Sequence, residues 1–365
     1  MRTLSRSPLV RVLEVWFLGV LPVFMVVGTA IVAVPSHKIA YDFDRAYAPA
    51  IHHVLHGISP YGPSTASALG SQTAFVYPPL GAFLGAPFAL FSAQTADILV
   101  TVLFTLAVPA ILLLVGVRDW RCLGAALLWM PTASAIHLGT VSIPMALGVA
   151  LLWRWRDRPL RAGIVLGLVI ALKLFLWPLV IWLAITKRYK AAAVAAVSTI
   201  VFVLAPWVPI KGAGLLGYPH RLSVLTSLEA KRGFSPAALL AHLGAGWGAA
   251  EAVGYGLGIL LLVWAYRRRD EDSSAFGLAC AATLLLTPIL WPNYLVIMLA
   301  PLGVLRPRFG LVWLLPVLLT DQRAFNPPVW EIAVFLAIVA VVAAAAAGIP
   351  TVRRRHPRLM VAWER

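Results

Sequence analysis

Apolar runs about as long as a bilayer is thick, parted by short arginine clusters, leave this chain few folds to adopt. A bilayer core of roughly 30 Å takes about 20 apolar residues of helix. Residues 15–36, 98–117, 191–210, 252–266 with its flanks, and 332–352 meet that length. Of the 365 residues, 61% are hydrophobic and only 12% are charged, which is more apolar surface than a water-soluble fold can bury. The mean hydropathy is +0.88. We therefore expect an all-α, polytopic transmembrane helical bundle, a single domain over 1–365, with about 10–13 membrane segments, some of them short.

The net charge of +16 does not point to nucleic acid, because the cations sit between apolar runs. "RWRDRPLR" (154–161), "KRYK" (187–190), "RRR" (267–269), "RPR" (306–308) and "RRRHPR" (353–358) read as cytoplasmic flanks of membrane spans. By the same counting 38–74, 211–250 and 321–331 lie outside, with 38–74 the first outer loop and 211–250 the second large one. Residues 15–36 follow Arg2, Arg6 and Arg11 and read as a retained signal anchor with a cytoplasmic N-terminus. The multi-pass chain is then expected in the cytoplasmic membrane. Cys122 and Cys280 lie in apolar runs and read as buried free thiols.

Three places break the regular pattern. The uncharged stretch 273–305 is long enough for two spans but is interrupted by "TPILWPNY", whose prolines and Asn293 cannot continue a lipid-exposed helix. Such a break should line a protein cavity. Only 25 residues separate the clusters ending at Arg161 and starting at Lys187, with Lys173 near their centre. Two short helices meeting at Lys173, or a re-entrant pair, fit that length. A lysine between apolar segments either snorkels to the interface or pairs with a phosphate or carboxylate. Between 75 and 137 no assignment of sides satisfies every charge, since "RDWR" (118–121) looks cytoplasmic and 77–92 is short for a crossing.

The densest chemistry is "YDFDRAYAPAIHHVLHGISPYG", Tyr41 to Gly62, which holds two aspartates, an arginine, three histidines and three tyrosines. Residues 45–56 are amphipathic, with Tyr47, Ile51, Val54 and Leu55 at helical spacing, and should lie along the membrane interface. "SPAALLAHLGA" reads as a second interfacial helix. Asp42 and Asp44 either cap the first of these helices or do chemistry just past the first span. His52 and His56 stand at i and i+4, but no HExxH glutamate or third ligand accompanies them, so they read as interfacial polar groups and no metal site is expected. The cations Lys211, His220, Arg221, Lys231 and Arg232 of the second outer loop can anchor to headgroups or hold a lipid phosphate.

Taken in order, "LHGISPY" (55–61), "YPPL" (77–80), "LGTVS" (138–142), "ALKLFLWPL" (171–179), "GFSPAALL" (233–240) and "LLLTPILWPNYLVIMLAPL" (284–302) resemble glycosyltransferase family 87. The resemblance covers most of 14–302. It implies an integral membrane transferase of GT-C type that moves a sugar, most commonly mannose, from a polyprenyl-phosphate donor to a hydroxyl of a lipid-linked or glycan acceptor on the outer face. It also implies inversion at the sugar, with no cofactor. Asp42 or Asp44 would be the catalytic base, and Lys173, His220, Arg221 and Asn293 would hold the donor phosphate. Tyr47, Tyr61, Tyr77 and Trp291 would line the substrate. Where the family often has a histidine after the tryptophan, this chain has Asn293 and Tyr294, and Asn hydrogen-bonds a phosphate without adding charge. A transporter or lipid flippase is the rival class. It would place polar groups at mid-membrane in both halves of a repeat. This chain gathers them in outer loops and shows no repeat.

Overall fold

The computed structural model describes residues 7–33, 39–71, 73–319 and 327–348. Arg2, Arg6, residues 34–38, Asp321, and the cluster 353–358 lie outside the described residues. What is described is all-α, without a strand. Four helical stretches are long and apolar enough to cross a membrane: Pro8–Gly28, Ala93–Leu114, Tyr189–Trp207 and Trp247–Arg267. A fifth candidate is the pair Met130–Leu138 and Ser142–Trp155, bent by 118° at the "LGTVS" turn. Five shorter apolar helical stretches of 10–17 residues complete the set.

The first helix begins at Pro8 rather than near Val15, because Ser7 caps it through the Val10 N–H and Pro8 takes a first-turn position that needs no donor. The uncertain region 75–137 divides into short turns, Leu80–Leu84 and Ala86–Leu90, then the long helix Ala93–Leu114, then two short helices, Trp120–Leu128 and Met130–Leu138. The stretch "RDWR" joins the last residues of the long helix to the next one. There Arg121 binds both oxygens of Asp119 at 2.9 and 2.8 Å, and Glu14 lies 3.5 Å away. The Arg121 guanidinium holds the Asp119 carboxyl at about 2.

Asp272–Leu285 is the axis of the bundle and is buried without interruption from Ser274 to Leu284. Its small residues let Trp247–Arg267, Pro178–Ile185 and Val329–Ala346 pack around it. On another side, Pro159–Leu172 lies flush on Tyr189–Leu204. Gly163 and Gly167 face Val194 and Ser198 so closely that a Cβ at either glycine would overlap them. The arginine-rich ends are tied together: Arg188 donates to both oxygens of Asp272 at 2.8 Å and to Asp157 at 3.0 Å, and Arg156 reaches Asp272 at 2.9 Å.

The break expected at "TPILWPNY" is present. Asp272–Leu285 ends, and a 3-10 turn over Pro292–Met298 leads into Leu299–Leu305. The expected break at Lys173 is present too. Pro159–Leu172 stops, Lys173 is extended (φ −161°, ψ 106°), and the chain restarts through Leu174–Leu176 and Pro178–Ile185.

Candidate active site

Asp42 precedes a single wide turn, Phe43–Tyr47, in which the Ala48 N–H donates to Phe43 O, five residues back. The helix Ala48–Leu55 continues from it. This segment buries Phe43, Ala46, Tyr47, Ala50, Ile51 and Val54. Leu55, expected on the buried stripe, is 50% exposed instead, and Ala50 takes the inner face. The buried positions 43, 46, 47, 50, 51 and 54 keep ordinary helical spacing, which puts Ala50 on the inner face and Leu55 at its edge. His52, His53 and His56 are exposed, and no group of three or more metal-ligating side chains occurs among the described residues.

The two aspartates, two positions apart on a helical turn, face different sides. Asp44 turns toward Arg45, with the two side chains 3.5 Å apart. Asp42 makes no cap hydrogen bond. It lies instead within electrostatic reach of Lys173, Tyr47, Tyr77 and Tyr294. Burial raises the Asp42 carboxyl to about 6, and the Lys173 charge pulls the other way.

Aromatic rings build the walls. Tyr47 and Tyr77 stack with centroids 5.3 Å apart, and Phe75 closes edge-on against both. The Lys173 ammonium stands 4.0 Å from the Tyr294 centroid and 5.0 Å from that of Tyr77. Phe175 stacks on the nearer of the two rings, Tyr294, at 5.0 Å. Ring faces carry partial negative charge and hold an ammonium without neutralising it.

The floor is the bend between Met130–Leu138 and Ser142–Trp155. Gly139 takes the left-handed conformation (φ +67°), and a Cβ there would stand 3.0 Å from Ala40 and 3.1 Å from Phe43. The segment that carries Asp42 therefore rests directly on this glycine. Beside it, Asn293 Nδ2 donates to Thr140 Oγ1 at 3.2 Å, while Asn293 Oδ1 is buried with no hydrogen-bond partner.

A second aromatic group adjoins the first. Tyr61 donates to Tyr77 O at 2.7 Å and stacks on Trp207 at 5.3 Å. Arg221, buried in the helix Tyr218–Glu229, donates to Gly62 O and lies 5.0 Å over the Tyr61 ring. Its guanidinium is thus engaged in holding the loop. His220 is exposed one residue earlier, and Trp291 is half-buried against the core two residues before Asn293. Of the residues singled out from sequence, Asp42, Tyr47, Tyr77 and Lys173 come together. Tyr61 and Arg221 support them from the side, Asn293 joins through Thr140, and His220 and Asp44 turn away. Tyr294, Gly139 and Thr140 were not foreseen as site residues. Their signals were present as the aromatic beside Asn293 and the small polar turn "LGTVS".

Comparison with known proteins places the chain in a class. The sequence profile of Glycosyltransferase family 87 matches residues 75–288, more than half the chain. The chain belongs to that family and is a membrane glycosyltransferase. No curated protein and no solved structure shows significant similarity to it.

Proposed function

We propose that the protein transfers a sugar, mannose in the first instance, from a polyprenyl-phosphate donor to a hydroxyl of a lipid-linked or glycan acceptor at the outer face of the cytoplasmic membrane. The observation that carries this reading is a carboxylate, Asp42, set against a caged ammonium, Lys173, in an aromatic pocket. Asp42 is the base of choice over Asp44, because Asp44 is taken up by Arg45. With its carboxyl at about 6, Asp42 is mostly ionised at neutral pH yet basic enough to accept a proton.

In this reading the acceptor oxygen attacks the anomeric carbon as its proton passes to Asp42. The bond from that carbon to the phosphate oxygen breaks, and the polyprenyl phosphate leaves from the opposite face with the bonding pair, which inverts the sugar. Lys173 stabilises the charge that develops on the leaving phosphate, in surroundings where water does not screen it. Asn293 offers the phosphate a neutral partner. Tyr47, Tyr61, Tyr77 and Trp291 shape the substrate channel. No step requires a metal or cofactor.

The test is transfer of labelled mannose from polyprenyl-phosphate mannose to a lipid extract by the purified protein in lipid nanodiscs, with and without EDTA. Transfer in both conditions, lost in Asp42→Asn and kept in Asp44→Asn, is the expected result. Activity in Asp42→Asn, or an absence of transfer from any polyprenyl-phosphate sugar, refutes the proposal.

A further inference from the structure

Two opposite charges stand near each other in the candidate active site without closing. Lys173 is within electrostatic reach of Asp42, yet among the described residues the two form neither an ion pair nor a hydrogen bond. A dry, aromatic pocket strengthens the attraction between them, and a flexible four-carbon stem leaves the ammonium free to swing. Something must therefore hold it back. Lys173 sits in the extended break after Pro159–Leu172, and its Nζ stands 4.0 Å from the Tyr294 centroid and 5.0 Å from that of Tyr77.

Each of these rings is held by a second one. Tyr77 stacks on Tyr47 at 5.3 Å, and Tyr294 lies within 10° of parallel to Phe175 at 5.0 Å. Tyr294 is buried in the turn Pro292–Met298, so its ring has little room to turn aside. No other cation competes for Asp42: Arg45 is turned to Asp44. Asp97 of Ala93–Leu114 and His137 of Met130–Leu138 belong to elements packed on the Asp42 segment, but among the described residues the charge that acts on Asp42 is that of Lys173. The phenols of Tyr47, Tyr77 and Tyr294 are within reach of the carboxyl.

We propose that Tyr294, together with Tyr77, is a positioning residue that keeps the Lys173 ammonium from closing onto Asp42, so that one charge stays open to the acceptor hydroxyl and the other to the donor phosphate. The roles of the two charges rest on the transfer reading above, whereas their separation stands without it. A ring face attracts the ammonium without accepting its proton, so the positive charge is kept. A closed pair would spend both groups on each other. The carboxylate would lose basicity, and a phosphate would have to displace it to reach the lysine. Burial beside an ammonium that stays apart leaves the Asp42 carboxyl at about 6.

The experiment titrates the Asp42 carboxyl in the full-length protein in nanodiscs by infrared difference spectroscopy, with the band assigned by its loss in Asp42→Asn. Wild type should titrate at about 6. Tyr294→Leu removes the ring face and lets the pair close, so the value should fall to about 5 or lower. Lys173→Met removes the charge that pulls the value down, so it should rise. Tyr294→Phe keeps the ring face and should titrate with wild type. A fold merely loosened by the leucine would also lower the value, by hydrating the carboxyl, but that shift would persist without the lysine. In Tyr294→Leu combined with Lys173→Met the downward shift should therefore vanish. An unchanged or raised value in Tyr294→Leu, a downward shift that persists in the double variant, or a Tyr294→Phe that follows the leucine variant overturns the proposal. In transfer assays the acid limb of kcat/KM for the donor should move with each titration. Titrations that shift as expected while that limb stays put, or in a protein that transfers no sugar, would sink the transfer reading and leave the separation standing.

Discussion

Gly139→Ala is the sharpest test of how the Asp42 segment is held. Two effects are superposed at Gly139. The left-handed backbone costs an alanine roughly 1–2 kcal/mol, and the new methyl meets Ala40 and Phe43 at 3.0 and 3.1 Å, closer than ordinary carbon contact. To relieve that contact the Asp42 segment must retreat by a few tenths of an ångström. A misplacement of about 1 Å typically costs about 10²-fold in rate, so a shift of this size should lower kcat about tenfold. Gly212 separates the two effects. Its φ is +68°, nearly that of Gly139, but no atom lies within 4 Å of a Cβ built there. Gly212→Ala should lose only the backbone cost in thermal stability and Gly139→Ala somewhat more, while only Gly139→Ala should slow sugar transfer at saturating donor. Wild-type kcat in Gly139→Ala, or an equal loss in Gly212→Ala, would refute the claim that this glycine positions the base.

Four further outcomes follow from the geometry. Transfer rate should fall as pH drops through about 6, the value to which burial raises Asp42, and a rate that is flat from pH 8 to 5 would exclude this carboxyl as the base. The same shift has a stability consequence of opposite sense. Because the folded value lies above the ordinary 3.8, the protonated form favours the fold, and this contribution is whole below about 4 and is lost as pH rises through 6. Asp42→Asn should therefore raise the melting temperature at pH 8 and barely change it at pH 4. Lys173→Met should weaken donor binding and slow transfer while leaving acceptor KM alone, and Lys173→Arg should recover part of the rate if charge alone matters; unchanged donor KM and kcat in the methionine variant would show a lysine without a phosphate role. Arg188→Ala removes two hydrogen bonds to Asp272 and two to Asp157, and should destabilise by about 1–3 kcal/mol with kcat unaltered, as read by thermal unfolding and transfer.

The sequence exposed the two chain breaks well, for local reasons. Prolines and an asparagine cannot sit in a lipid-facing helix, and a lysine amid apolar residues must end or turn one. Cys122 and Cys280 are buried as their apolar neighbours suggest. The helical start at Pro8 lies ahead of the apolar run 15–36 because a capping Ser7 before Pro8 sets it, and hydropathy weighs apolar content alone. The choice between Asp42 and Asp44 was not legible at all. It depends on which face of the turn packs beside Lys173, a tertiary contact that no local side-chain pattern announces. Tyr294 was visible only as a departure beside Asn293. Its place over Lys173 arises from packing between segments more than a hundred residues apart.

The tight seating of Pro159–Leu172 against Tyr189–Leu204 also bears on biogenesis. Fourteen residues make a helix of about 21 Å, short of the roughly 30 Å bilayer core, and the eight of Pro178–Ile185 fall shorter still. Neither can rest in lipid alone with its ends hydrated. The shelter of the first is the groove that Val194 and Ser198 offer to Gly163 and Gly167, and the second packs on Asp272–Leu285. That groove does not exist until the ribosome has passed residue 204, so the helix that ends before Lys173 can take its seat only after the later helix has been made.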